Sequence, residues 1–208
     1  MNPKIKICGL KHLGNIQDVM ALRPDYVGFI CYPGSKRFIG ELDETWVAGL
    51  QGAKKTGVFV NAAIHEVKKN IRRFGFQAVQ LHGAETPAYC AELMDGGVEI
   101  IKAFGISEQF NWTILEGYQT AVDYYLFDTK SSQHGGTGKR FNWTLLDDYT
   151  GDKPFFLSGG ISAENMADAL QLGDSRLYAL DLNSRFETAP GVKDIALLRN
   201  TLQTINDE

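Results

Sequence analysis

Lys4-Ile5-Lys6-Ile7-Cys8-Gly9 opens the chain as a short strand that ends in a thiol. Successive side chains of a strand point to opposite faces, so Lys4, Lys6 and Cys8 share one face while Ile5 and Ile7 share the other. Gly9 frees the backbone, and Leu10-Lys11-His12-Leu13 begins a helical period. The same unit recurs along the chain. Strand-like runs fall at 4–8, 25–31, 55–60, 78–81, 98–104, 124–127, 154–157 and 176–182. Helical patterns alternate with them at 12–22, 43–50, 64–73, 86–94, 109–118, 142–148, 162–171 and 193–205, several opening on a capping residue such as Asp43, Thr86, Asn142 or Ser162. Strict alternation predicts an α/β protein with a parallel sheet and outer helices, and eight units in a row predict that the sheet closes into a (β/α)8 TIM barrel. An open doubly wound sheet would carry a dinucleotide fingerprint in its first turn, and Cys8-Gly9-Leu10-Lys11 is not one.

Composition narrows the function classes. At 208 residues the chain is expected to form one small domain over 1–208, since no Pro-rich linker, low-complexity stretch or charge block divides it. A formal charge of −4 offers no electrostatic footprint for nucleic acid or for an anionic membrane surface, so any bound anion has to be held locally. No apolar run approaches the ~20 residues that span a bilayer, and the amino terminus shows no signal-peptide pattern. Three cysteines at 8, 31 and 90, odd in number and without metal-ligand spacing, suggest a reducing compartment; the expected location is the cytoplasm. Phe110-Asn111-Trp112-Thr113 and Phe141-Asn142-Trp143-Thr144 are nearly one phrase used twice where a helix should begin, with Asn as the cap.

In a closed parallel barrel the site lies at the carboxyl ends of the strands. Here they end in Cys8-Gly9, Cys31-Tyr32-Pro33-Gly34-Ser35-Lys36-Arg37, Asn61, Gln80-Leu81-His82-Gly83, Asp128-Thr129-Lys130, Ser158-Gly159-Gly160 and Asp181-Leu182-Asn183-Ser184. Polar groups thus converge at one end. Gly135-Gly136-Thr137-Gly138 and Ser158-Gly159-Gly160 can bring backbone N–H groups close to a phosphate, and Ser162 is expected to start a helix whose N-terminus adds positive dipole. Sites after strands 7 and 8 are a recurrent phosphate locus in this architecture.

Taken in order, Lys6-Ile7-Cys8-Gly9, Gly28-Phe29-Ile30 with Ser35-Lys36-Arg37, Val79-Gln80-Leu81-His82-Gly83, Gly135-Gly136-Thr137-Gly138 with Phe141-Asn142-Trp143, Ser158-Gly159-Gly160-Ile161, and Asp181 through Glu187 with Pro190-Gly191-Val192-Lys193-Asp194 resemble the phosphoribosylanthranilate isomerase family of tryptophan biosynthesis. The resemblance runs from residue 4 to about residue 194. It implies a cofactor-free Amadori rearrangement of a phosphorylated small molecule by a monomer or homodimer. It also implies Cys8 as general base and Asp128 as general acid. Arg37 would hold the anthranilate carboxylate, Gln80 and His82 would line the site, and Gly136, Gly138, Ser158, Gly159, Gly160, Asp181, Asn183 and Ser184 would complete substrate binding. No metal is implied.

Such chemistry asks Cys8 for a lowered pKa, which Lys6 on the same face and nearby backbone N–H groups would help supply. It asks Asp128 for a carboxyl that is protonated part of the time. Asp181 shares parity with Ala179 and Leu177, and strand 8 adjoins strand 1 in a closed barrel, so a Lys6–Asp181 ion pair competes with that use of Lys6. Three departures stand out. Cys31 replaces a common aromatic and competes with Cys8, Arg185 takes a glycine's place, and Gln77 stands where aspartate is common. Two other readings remain. An isomerase of the parallel histidine-pathway step uses aspartate at the Cys8 position. A phosphometabolite-binding protein would have lost catalysis, against which Cys8, Asp128 and Arg37 together argue.

Overall fold

The computed structural model describes residues 2–40, 42–130 and 141–206. Eight parallel strands, β1 (Lys4–Cys8), β2 (Tyr26–Ile30), β3 (Lys54–Phe59), β4 (Ala78–Leu81), β5 (Glu99–Ile106), β6 (Tyr124–Thr129), β7 (Phe155–Leu157) and β8 (Leu177–Leu182), close in sequence order, with β8 returning to β1. Strand alternation divides the interior into two apolar regions. Ile7, Val27, Phe29, Val79, Ile100, Tyr125, Phe127, Leu157 and Leu180 point outward and pack under the helices. Tyr26, Ala78, Ile101, Ala103, Leu126, Phe156 and Ala179 fill the barrel. Lys6 and Cys8 are buried on the inner face and Ile7 on the outer, as the parity of the first stretch predicts.

Helices α1 (Leu13–Ala21), α2 (Glu44–Gly49), α3 (Ile64–Phe74), α4 (Pro87–Met94) and α6 (Ile195–Asn206) lie close to the expected ranges, and α5 (Met166–Leu170) covers only the second half of 162–171. Two units differ. Trp112–Tyr118 and Trp143–Asp148 are 3₁₀ turns rather than α-helices. The capping half of the reading holds, since Asn111 and Asn142 each accept a hydrogen bond from the backbone N–H two residues on, Thr113 and Thr144, at 3.2 Å. That contact closes a tight turn, and short runs with β-branched residues and Gly117 have little propensity to widen it into an α-helix. The start expected at Ser162 also moves: α5 begins at Met166, and Asn165 Oδ1 accepts from Ser162 N at 2.9 Å while Asn165 Nδ2 donates to Gly160 O. Ser162 therefore starts no helix and stands at no helix dipole. The last helix starts at Ile195, not 193, because Glu187–Ala189 (β9) and Val192–Lys193 (β10) form an antiparallel hairpin across Pro190-Gly191.

Outside the barrel, Lys102 and Glu85 form a buried pair at 3.2 Å that braces the mouth loops. Lys102 Nζ also donates to the carbonyls of Gly83 and Ala103, while Glu85 accepts from Asn61 N and Gly83 N. Both side chains are about 2% exposed, so removing one partner strands a charge away from water. Lys102→Met is expected to lower unfolding free energy by about 3–5 kcal/mol, read from a urea midpoint that drops without a change in slope. An unchanged midpoint would contradict the bracing role.

Candidate active site

Cys8 stands at the carboxyl end of β1, where Gly28 of β2 makes room for it. A Cβ on Gly28 would lie 2.6 Å from the Cys8 sulfur. Gly9 N and Leu10 N both donate to Gly28 O at 3.0 Å, so the backbone donors expected to serve a thiolate are already engaged. Lys6 is engaged too: its ammonium lies 2.9 Å from Asp181 Oδ2 and donates to Gln80 Oε1 at 2.7 Å. Burial opposes the charge on Lys6, but the Asp181 carboxylate and the Cys8 sulfur together outweigh it and raise the ammonium above the ordinary lysine range, while burial also pushes the Asp181 carboxyl up against the pull of Lys6. The thiol goes the other way. Burial pushes Cys8 up, against the lowering influence of Lys6 and of Lys193. The expected depressed thiol pKa is thus not found in the free protein, because desolvation exceeds what two already-paired lysines return.

Asp128 lies on the far wall of the same mouth, on β6. Its Oδ1 accepts from Thr129 N at 2.8 Å, and its Oδ2 is 3.3 Å from His82 Nε2. His82 Nδ1 in turn faces Gln80 Nε2 at 2.9 Å. A continuous polar chain therefore runs from Asp181 through Lys6, Gln80 and His82 to Asp128. It joins β8, β1, β4 and β6 across the barrel just below the opening.

Arg37 leaves the loop after β2 and meets Glu187 of the hairpin through two guanidinium nitrogens, Nε at 2.9 Å and Nη2 at 2.6 Å. Glu187 also accepts from the buried Lys193 at 2.8 Å and from Gly191 N at 3.1 Å. Burial would raise that carboxyl, but Arg37 and Lys193 together hold it below the usual range. The sequence alone assigns no role to Glu187 or Lys193. The available signal was Pro190-Gly191 between short extended runs, which reads as a hairpin and pairs Glu187 with Lys193. Lys193 also donates to Asn183 Oδ1 at 2.9 Å, tying the loop after β8 to the same cluster.

At the end of β7, Gly159 and Gly160 both adopt left-handed backbone, φ 84° and 75°. A Cβ on Gly159 would strike Thr129 Oγ1 and Asp128 Oδ1, so this turn lies directly against the β6 end. Ser158 is nearly buried beside it, and Asn183 and Ser184 lead into the turn Ser184–Phe186 on the adjoining strand end. Arg185 lies close enough to Glu164 to join Ser162, which hydrogen-bonds that carboxylate, in holding it low. Gly136 and Gly138 fall outside the described residues. Cys31 does not share the mouth with Cys8. It has the parity of Phe29, points outward, and lines a pocket of about 350 Å³ with Phe38, Ala63, Arg73 and Phe74, where burial pushes its thiol up to about 12.

Comparison with known proteins decides between the readings of this mouth. The family model described as N-(5'phosphoribosyl)anthranilate (PRA) isomerase matches residues 5–204. The chain belongs to this family. An N-(5'-phosphoribosyl)anthranilate isomerase of Parabacteroides distasonis is 41% identical over 97% of the chain and 92% of the relative. The crystal structure of phosphoribosyl anthranilate isomerase from Thermotoga maritima superposes with a TM-score of 0.85 at 31% identity, covering 99% of this chain and 100% of that one. A further family structure, solved in complex with reduced 1-(o-carboxyphenylamino)-1-deoxyribulose 5-phosphate, has a TM-score of 0.82 at 29% identity, covering 99% and 100%. Membership accounts for the closed eight-stranded barrel.

Proposed function

We propose that this chain catalyses the Amadori rearrangement of N-(5-phosphoribosyl)anthranilate to 1-(2-carboxyphenylamino)-1-deoxyribulose 5-phosphate in tryptophan biosynthesis, with Cys8 as general base and Asp128 as general acid. The observation that carries the assignment is that Cys8 on β1 and Asp128 on β6 stand at the same end of one barrel, with Lys6, Gln80 and His82 linked beneath the mouth as far as Asp128. Asp128 gives its proton to the furanose ring oxygen as the bond from that oxygen to C1 breaks, and the anthranilate nitrogen supplies the electron pair that forms the imine. The Cys8 thiolate then takes the proton from C2, the C1–C2 double bond forms, and the resulting enolamine tautomerises to the ketone.

Binding follows from the surrounding groups. Glu187 takes the Nε and Nη2 side of Arg37, which leaves the end bearing Nη1 for the anthranilate carboxylate, in the planar geometry a guanidinium offers. The left-handed turn at Gly159 and Gly160, with Ser158, Asn183 and Ser184, receives the phosphate, and Asp181 and Gln80 face the sugar. Three free cysteines support a cytoplasmic setting. Purified protein mixed with freshly generated substrate is expected to abolish the substrate's anthranilate fluorescence; no change at high enzyme would sink the proposal. Arg37→Lys keeps the charge but loses the fork, and is expected to raise KM about 10–100-fold, the worth of a charge-assisted bond.

A further inference from the structure

The polar chain beneath the mouth has a direction, and donor inventory fixes it. An ammonium group has donors only, so Lys6 Nζ at 2.7 Å assigns the oxygen of the Gln80 amide to the end it touches. The amide nitrogen is then the atom 2.9 Å from His82 Nδ1. That nitrogen can only donate, so Nδ1 accepts with its lone pair. A neutral imidazole in this position carries its one proton on Nε2, the atom 3.3 Å from Asp128 Oδ2.

We infer that Lys6 and Gln80 lock His82 in its Nε2–H tautomer, and that His82 is a positioning residue which holds the Asp128 carboxyl for proton donation. Reversing the chain is costly at each link. Turning the Gln80 amide over would set its NH₂ against the Lys6 ammonium, and Lys6 is kept charged and in place by Asp181. The groups facing His82 are Gln80 of β4, two residues before it, and Asp128 on β6, with Asp181 of β8 and Lys6 of β1 behind Gln80. Thr129 N donates to Oδ1 and His82 Nε2 lies 3.3 Å from Oδ2, so a nitrogen faces each oxygen of Asp128. The carboxyl plane is thereby set. The negative charge that appears as its proton leaves is met by N–H groups that need not reorganise.

This inference rests on Asp128 being the acid, but its first test does not. In free enzyme carrying ¹⁵N-histidine, long-range proton–nitrogen spectra show four histidines, and the His82 signals are those lost in His82→Gln. The expected spectrum has a protonated Nε2 and a bare Nδ1; a proton on Nδ1 overturns the lock. Gln80→Glu replaces the donor facing Nδ1 with an acceptor and is expected to put a proton there, and an unchanged spectrum in that variant overturns the role of Gln80. In turnover, His82→Ala is expected to lower kcat at least about 10-fold with KM little changed, and His82→Gln, whose amide N–H reaches a similar point, to recover much of it. Wild-type kcat in the alanine variant, or equal losses in both, overturns positioning. Failure of the tautomer with normal dependence on Asp128 would leave the proposed reaction standing, and absence of turnover in the wild type would do the reverse.

Discussion

Cys8→Ala is expected to lower kcat by about 10²–10⁴-fold, the range that a positioned acid or base contributes, while KM stays within a few-fold. The thiol is buried at the end of β1 and accepts no role in holding phosphate or carboxylate, so its loss should appear in the proton abstraction from C2 and not in binding. Cys31→Ala supplies the contrast, since that thiol faces the pocket beside α3 and near-normal turnover is expected. The opposite pattern, with Cys8→Ala active and Cys31→Ala dead, would overturn the assignment. The pH dependence has a definite sign. Burial pushes the Cys8 thiol up, so in free enzyme the working pair of thiolate and protonated acid is a minority form. Its share holds until the thiol itself begins to ionise; above that pH the second proton leaves the pair and no acid remains. The alkaline fall of kcat/KM is therefore expected above the ordinary cysteine value of about 8.5, and a fall centred near 7 would contradict a buried, desolvated base.

Much of this arrangement is legible in the chain because it depends on parity. Alternation along 4–8 places Lys6 and Cys8 on one face, and closure of eight units sets Asp181 beside Lys6, where the ion pair is found. The same rule, carried one residue past β2, turns Cys31 outward with Phe29 and overturns the expectation that it competes with Cys8 at the mouth. What stayed hidden depends on distances that no periodicity carries. The Glu187–Lys193 contact needs the antiparallel register of a seven-residue hairpin, in a segment whose carboxyl half reads as the beginning of a helix. The 3₁₀ turns at Trp112 and Trp143 share caps and aromatic starts with true α-helices, and only the turn geometry separates them. The raised thiol of Cys8 escapes the sequence for a related reason: residue order shows that Lys6 faces the thiol, but not that Asp181 and Gln80 already occupy that lysine, nor that Cys8 is almost wholly removed from water.

Asp128→Asn carries the second large effect, and here the geometry makes the near-isosteric change a severe one. Asparagine has no acidic proton to give the ring oxygen, so kcat is expected to fall about 10²–10⁴-fold. Its amide also fits the surroundings less well than its shape suggests. Thr129 N donates to one carboxyl oxygen at 2.8 Å, and His82 Nε2 lies 3.3 Å from the other. An asparagine can offer an oxygen to only one of them and must turn its NH₂ toward the second, where two donors meet. Asp128→Ala avoids that conflict while losing the same proton, so the alanine variant should lose as much kcat yet keep the higher melting temperature of the two. Measuring kcat, KM and Tm for both separates the roles. A large rise in KM with kcat preserved would make Asp128 a binding group, whereas equal losses of kcat with the asparagine variant less stable fit a proton donor placed between Thr129 N and His82 Nε2.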